Sequence, residues 1–193
     1  MMRIITGSAK GKKLATLEGD ATRPTSERIK GAIFSSIQFD LEERAVLDLF
    51  AGSGQMGLEA LSRGAAKATF IDASREAMEV VKKNAKSCGF FDKSHFLVSD
   101  FRNYIRKASG RERFDLVFVD PPYEMKCCAE VAAQLVKSKL IIPGAIVVLE
   151  SGDEEIRPEE DNRLSCYEVI KSTHYGKKTS VNILVYRGEE GEI

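Results

Sequence analysis

Asp120-Pro121-Pro122-Tyr123 follows the apolar run Leu116-Val117-Phe118-Val119, and its residue types suit one operation, the gripping of an amine. The exocyclic nitrogen of a nucleobase is a weak nucleophile because its lone pair is delocalised into the ring. Two acceptors holding both of its N–H groups favour a pyramidal nitrogen, whose lone pair then points at an electrophile. The Asp120 side chain and the Pro121 carbonyl supply such a pair. Pro121 and Pro122 fix the backbone, and Tyr123 offers a face on which a base can stack. Methyl transfer to that nitrogen would proceed in line, aided by alignment and by stabilisation of developing charge. It needs neither a metal nor a covalent intermediate. The same tetrapeptide is also a strand terminator, since proline lacks an N–H and restricts the residue before it.

A second group of residues lies upstream. In VLDLFAGSGQMGLEAL, a strand-like run leads into Gly52, Gly54 and Gly57 at G-x-G-x-x-G spacing and then into a helix pattern. Such glycines permit a tight turn, let a ligand approach the backbone and let the helix pack on the strand. Asp72 ends the next strand, twenty positions after Gly52, where a carboxylate can accept hydrogen bonds from ribose hydroxyls. The ligand is a dinucleotide or S-adenosylmethionine. Asp48 bears on the choice: a carboxylate just before the loop is a poor neighbour for a pyrophosphate and a useful one for an amino-acid ammonium. Bonding to loop amides is its alternative role. Asp100, after the third strand, is placed to meet an adenine amine, and Phe101 to lie against that ring or in the core.

These residues need a frame. A chain of 193 residues, with 43% hydrophobic and 30% charged residues, has the size and composition of one globular domain. Cys88, Cys127, Cys128 and Cys166 have no C-x-x-C spacing, and the start of the chain has no apolar signal segment, so reduced thiols in a cytoplasmic protein are expected. No apolar run matches a membrane span. Basic and acidic residues balance at 29 each, yet residues 1–31 hold seven cations against three carboxylates, while SGDEEIRPEED and the last residues are acidic. Segregated charge gives a local field that the total hides. His95 and His174 are read as structural or exposed.

Between Ala45 and Glu150, strand candidates AVLDLF, KATFID, SHFLVS, FDLVFVD and GAIVVLE alternate with helix candidates Gly54–Ser62, Arg75–Ser87, Phe101–Lys107 and Met125–Ser138. This alternation predicts βαβ units and a mostly parallel sheet. The last two strand-like runs, in RLSCYEVIKSTHYG and KTSVNILVYRG, have no helix between them and predict an antiparallel hairpin, which makes seven strands. At the other end, Arg3–Thr6 and Lys12–Leu17 predict a β-hairpin. A helix follows Pro24, with Thr25 or Ser26 as its cap and Ile29, Ala32, Ile33, Phe34 and Ile37 as its apolar stripe. The domain reading is a hairpin extension over 1–20 and one domain over 21–193.

Asp-Pro-Pro-Tyr matches the [D/N/S]-P-P-[F/Y/W] motif of S-adenosylmethionine-dependent amino methyltransferases. With RIITGSAKGKKL, TRPTSERIKGAIFSSI, VLDLFAGSGQMGLEALSRGA and VFVDPPY in this order, the chain resembles the RsmD family, which methylates guanine N2 in small-subunit (16S) ribosomal RNA. The resemblance runs from Arg3 to the terminal YGKKTSVNILVYR and implies a Rossmann-like class I methyltransferase fold. It implies S-adenosyl-L-methionine contacts from Asp48, Phe50, Gly52, Gly54, Asp72 and Asp100, and amine recognition by Asp120, Pro121 and Tyr123. It also implies RNA contacts from Arg3, Lys10, Lys12 and Lys13, with Arg23, Pro24, Thr25 and Arg28 at the mouth of the active site. The partner would be ribosomal RNA or a small-subunit assembly particle, met by a monomer in the cytoplasm. Three other readings stand beside it: methylation of adenine N6 or cytosine N4, a dinucleotide-dependent oxidoreductase, and a noncatalytic RNA-binding module.

Overall fold

Three apolar runs in the first half of the chain become parallel strands. They are β1 (Ala45–Asp48), β2 (Lys67–Asp72) and β3 (Ser94–Val98), in the order β3-β2-β1. The computed structural model describes residues 2–17, 24–152, 154, 156–176 and 179–188, and divides into two units, Met1–Phe101 and Arg102–Ile193. In the first unit Ala68, Thr69, Phe70 and Ile71 are all buried, the unbroken burial of a parallel strand covered on both faces. β1 and β3 end two residues and one residue earlier than the sequence predicts, because the chain turns at once into the loops that follow. Helix α1 (Pro24–Ser36) begins at Pro24 itself, so Thr25 and Ser26 lie in its first turn and not at its cap. Proline suits that position because its missing N–H has no partner there anyway. α2 (Gln55–Ser62) and α3 (Arg75–Cys88) fall where expected. The Ser74 hydroxyl accepts from the Ala77 N–H at 3.1 Å to cap α3, and Gly89 closes it in the left-handed region.

Residues 2–17 double back, but the pairing is one antiparallel bridge, Arg3 with Lys13, and not two strands. Other backbone groups here bond to α2 instead. Glu59 accepts from the Ile5 and Thr6 N–H groups at 2.8 and 3.0 Å, and the Ser62 hydroxyl accepts from Ala9 N–H at 3.0 Å. Gly7 sits so near the Ser62 carbonyl that a Cβ there would lie 1.8 Å from its oxygen. Asn84 of α3 bonds both the N–H and the carbonyl of Ala15. The segment thus satisfies part of its backbone internally, as in the Ile4 N–H to Lys12 carbonyl bond at 2.9 Å, and polar side chains of α2 and α3 take other groups.

In the second unit β4 (Phe114–Val119) and β5 (Ile141–Ser151) are parallel, and β7 (Thr179–Tyr186) runs antiparallel to both β5 and β6 (Tyr167–Tyr175), in the order β4-β5-β7-β6. The seven strands are therefore mostly parallel with an antiparallel C-terminal hairpin, as the alternation predicts. β5 starts three residues before the predicted Gly144. Between Phe114↔Ile141 and Leu116↔Ile146 the register shifts, and the bulge absorbs Pro143 and Gly144 (φ 85) inside the strand. α4 (Phe101–Ala108) is close to its predicted span, whereas α5 (Cys128–Lys137) starts three residues later than Met125. A short turn, Tyr123–Met125, and Lys126 at φ 40 intervene. Among the described residues no helix is long and apolar enough to cross a membrane.

Candidate active site

The glycine loop occupies the first unit. After β1 the chain passes through Gly52 (φ 54) and Gly54 (φ 79), both in the left-handed region that side chains disfavour. Gly54 caps α2, its carbonyl accepting from the Leu58 N–H at 2.9 Å. A Cβ on Gly52 would meet nothing within 4 Å, so the loop is open to a ligand there. At Gly57 a Cβ would come within 2.4 Å of the Phe70 ring and 3.3 Å of Asp48 Oδ2. Only glycine lets α2 lie this close to β2. The geometry thus gives Gly52 and Gly54 the positive φ of a tight turn and Gly57 the close packing of α2 on β2.

Two carboxylates fix this loop. Asp72 Oδ2 accepts from the Gly52 N–H and Oδ1 from the Ser74 N–H, each at 2.8 Å. A carboxylate oxygen has a second lone pair, so Asp72 can hold the loop and still accept from a hydroxyl. Asp48 is buried and its Oδ2 accepts from the Gly57 N–H at 3.0 Å, an amide in the first turn of α2 just past the loop. Burial pushes its carboxyl up to about 7, against the Gly57 bond and with help from the charge of Asp72. Asp100 is exposed after β3. Phe101 is a core residue, with its ring 5.1 Å from that of Phe50. Phe50, half-buried, is the more accessible ring of the two.

Asp120-Pro121-Pro122-Tyr123 lies in the second unit, directly after β4. Asp120 is half-buried, Pro121 buried and Pro122 exposed. The Pro122 carbonyl accepts from the Met125 N–H at 2.9 Å, which closes the turn that Tyr123 opens. Tyr123 is held from behind. Its hydroxyl donates to Glu150 Oε1 at 3.1 Å and lies 2.8 Å from the Thr179 hydroxyl, while Gly152 leaves room for its ring. Burial, with a further contribution from the Glu150 charge, pushes the phenol up to about 12. Sequence reasoning did not single out Glu150, Gly152 or Thr179 as neighbours of Tyr123. The trace was an acid, Glu150, at the close of an apolar run with further acids after it, of which Glu154 accepts from the Cys128 and Ala129 N–H groups to cap α5. Cys127 and Cys128 are buried, with thiols pushed up chiefly by that burial.

Of the predicted RNA contacts, Arg3, Lys10, Lys12, Lys13 and Arg28 are exposed. Arg3 also pairs with Glu27 at 3.5 Å. Arg23 lies outside the described residues, and Thr25 is in the first turn of α1. Lys30, one of the seven N-terminal cations, adds nothing to that face. It is 1% exposed, its ammonium lies 3.4 Å from Glu59, and it donates to the Arg3 carbonyl at 2.6 Å. His95 is exposed, and His174, also exposed, has its Nδ1 2.8 Å from the Ser180 hydroxyl.

The chain is similar to several known proteins. A family model described as "Conserved hypothetical protein 95" matches residues 2–184. Ribosomal RNA small subunit methyltransferase D of Haemophilus influenzae is 30% identical over 82% of this chain and 83% of its own length. A solved yhhF structure from Escherichia coli superimposes with a TM-score of 0.84 at 26% identity, covering 97% of this chain and 99% of the other. An RNA methyltransferase from Salinibacter ruber, solved with S-adenosyl-L-homocysteine, shares the fold at 17% identity, with a TM-score of 0.64 over 89% and 98% of the two chains.

Proposed function

We propose, from the premise that this chain belongs to the RsmD family of small-subunit ribosomal RNA methyltransferases, that it moves a methyl group from S-adenosylmethionine to the exocyclic N2 amine of a guanine in small-subunit ribosomal RNA. The observation that carries the reading is Asp-Pro-Pro-Tyr at the end of β4 in a chain whose glycine loop is closed by two carboxylates. That loop suits a ligand with an ammonium and vicinal hydroxyls. Asp48 faces the first requirement, Asp72 the second, and the open side of Gly52 admits the ligand's backbone approach. Phe50 and Asp100 complete the cofactor set, with Phe101 behind Phe50.

When bound, S-adenosylmethionine supplies an activated methyl on a sulfonium. The protein's part is to hold and orient. Asp120 and the Pro121 carbonyl take the two amine N–H bonds, which directs the nitrogen lone pair outward. Tyr123 carries the base, which must be unstacked from its neighbours before its amine is reachable. Arg3, Lys10, Lys12, Lys13, Arg23 and Arg28 contact phosphates, fixing position without reading sequence, and Thr25 lies among them. The substrate is ribosomal RNA, free or in a small-subunit assembly particle, and the enzyme works as a monomer in the cytoplasm, with 1–20 as a substrate-binding extension of the domain over 21–193.

The pH dependence of cofactor binding tests the loop assignment. A carboxyl at about 7 in the folded protein, against 3.8 ordinarily, adds stability below pH 4 that is lost as pH rises through 7. A ligand ammonium favours the ionised form, so affinity for S-adenosyl-L-homocysteine should rise by roughly tenfold per pH unit approaching 7 and level off above it. Asp48→Asn should flatten that profile and stabilise the ligand-free protein at pH 8. Calorimetric titration would give both affinities. A flat wild-type profile removes Asp48 from the ammonium site, and binding of NAD in place of S-adenosyl-L-homocysteine overturns the methyltransferase reading.

A further inference from the structure

An aromatic ring needs no hydroxyl to stack on a base, yet the hydroxyl of Tyr123 has two partners. A phenol has one proton. It goes to Glu150 Oε1 at 3.1 Å, so the Thr179 hydroxyl, 2.8 Å away, donates to the phenol oxygen. The two partners come from different strands. Glu150 is the penultimate residue of β5, and Thr179 opens β7. Those strands are locked in register, Glu150 opposite Val181 and Ser151 opposite Ser180. At its other end the ring needs space that only a glycine leaves. Gly152 lies beneath its root, where an added Cβ would stand 3.1 Å from both Cβ and Cγ of Tyr123. A half-buried side chain is thereby tethered at its tip and given room at its root.

We propose that Glu150 and Thr179 are positioning residues, which tether the Tyr123 hydroxyl so that its ring presents one fixed plane to the acceptor base. The proposal rests on the reading of Asp-Pro-Pro-Tyr as the amine-gripping element. A ring free to rotate would still bind the base but would let its amine wander from the line of transfer, and small misplacements of reacting groups are costly to rate. The tether also gives Glu150, next to the end of β5, a part in the reaction exerted through another side chain.

Single and double variants test it by turnover and by the ionisation of Tyr123. Glu150→Ala and Tyr123→Phe should each lower kcat by about tenfold or more, leaving affinity for S-adenosyl-L-homocysteine unchanged. Combined, they should cost no more than either alone. Glu150→Gln, whose amide oxygen still accepts the phenol proton, should restore most of the turnover, and Thr179→Val should lower it. NMR of ring-labelled tyrosine should find Tyr123 titrating near 12 in the wild type and clearly lower in Glu150→Ala. Full turnover in Glu150→Ala, or an undiminished further loss when it is added to Tyr123→Phe, overturns the proposal. An unshifted Tyr123 titration does so without reference to activity. A wild-type protein that fails to methylate RNA while its Tyr123 titration shifts as stated would instead count against the assigned reaction.

Discussion

Asp120→Ala is expected to lower methyl transfer by roughly 10²–10³-fold, the scale at which one preorganised hydrogen-bonding group acts on a transition state. Affinity for S-adenosyl-L-homocysteine should stay within about twofold, because the residues proposed to hold the cofactor lie on and after β1, β2 and β3 and not on β4. The physical reason is specific to the nitrogen. Without the carboxylate, the amine keeps one acceptor, the Pro121 carbonyl, and its lone pair remains conjugated with the base. Asp120→Asn keeps an acceptor oxygen but not the charge, and should fall between the wild type and Asp120→Ala. Single-turnover kinetics with labelled S-adenosylmethionine separates the chemical step from binding. Unchanged transfer in Asp120→Ala would remove the amine-gripping role from this residue.

The largest effect on stability is expected at Glu59. Its carboxylate is fully buried and takes four partners: the N–H groups of Ile5 and Thr6, the Arg63 guanidinium at 2.9 Å and the Lys30 ammonium at 3.4 Å. Burial drives the Lys30 ammonium below its ordinary range, and the Glu59 charge is the main opposing influence. Glu59→Ala would leave that ammonium buried without its counter-charge and two backbone donors without acceptors. Loss of one partner from a buried pair costs about 3–5 kcal/mol. Glu59→Gln keeps an acceptor for the N–H groups and should lose less. Urea unfolding at pH 7 measures the difference, and hydrogen exchange at Ile5 and Thr6 should quicken in step. A loss below about 1 kcal/mol for Glu59→Ala would mean that the network contributes little.

The two halves of the chemistry differed in how plainly they could be read. The glycine loop was legible because its demands are local. Gly52 and Gly54 need positive φ, and Gly57 needs the space that Phe70 leaves, so each position restricts the residue type directly. The strand alternation was legible for the same reason, and it erred where two signals competed. Pro143 argues for a strand start, but a bulge accommodates it within β5. The roles of Glu59 and Glu150 were hidden because a carboxylate's meaning depends on its partners, and all of theirs but Arg63 lie 27 to 54 residues away. Glu59 did leave a trace, a lone acid among Met56, Leu58, Ala60 and Leu61 with Arg63 four residues on. Lys30 shows the limit of charge counting. It adds to the sum of a basic segment while its charge is spent inside the fold.

The central claim concerns one atom, the N2 of guanine. The purified protein should be incubated with isotope-labelled S-adenosylmethionine and small-subunit ribosomal RNA, free and in assembly particles, from cells lacking this gene. The RNA is then digested and its nucleosides resolved by mass spectrometry. The predicted result is label in N2-methylguanosine with at least one of the two substrates, lost with Asp120→Ala. Label in N6-methyladenosine or N4-methylcytidine, or no label in either substrate, would contradict the account.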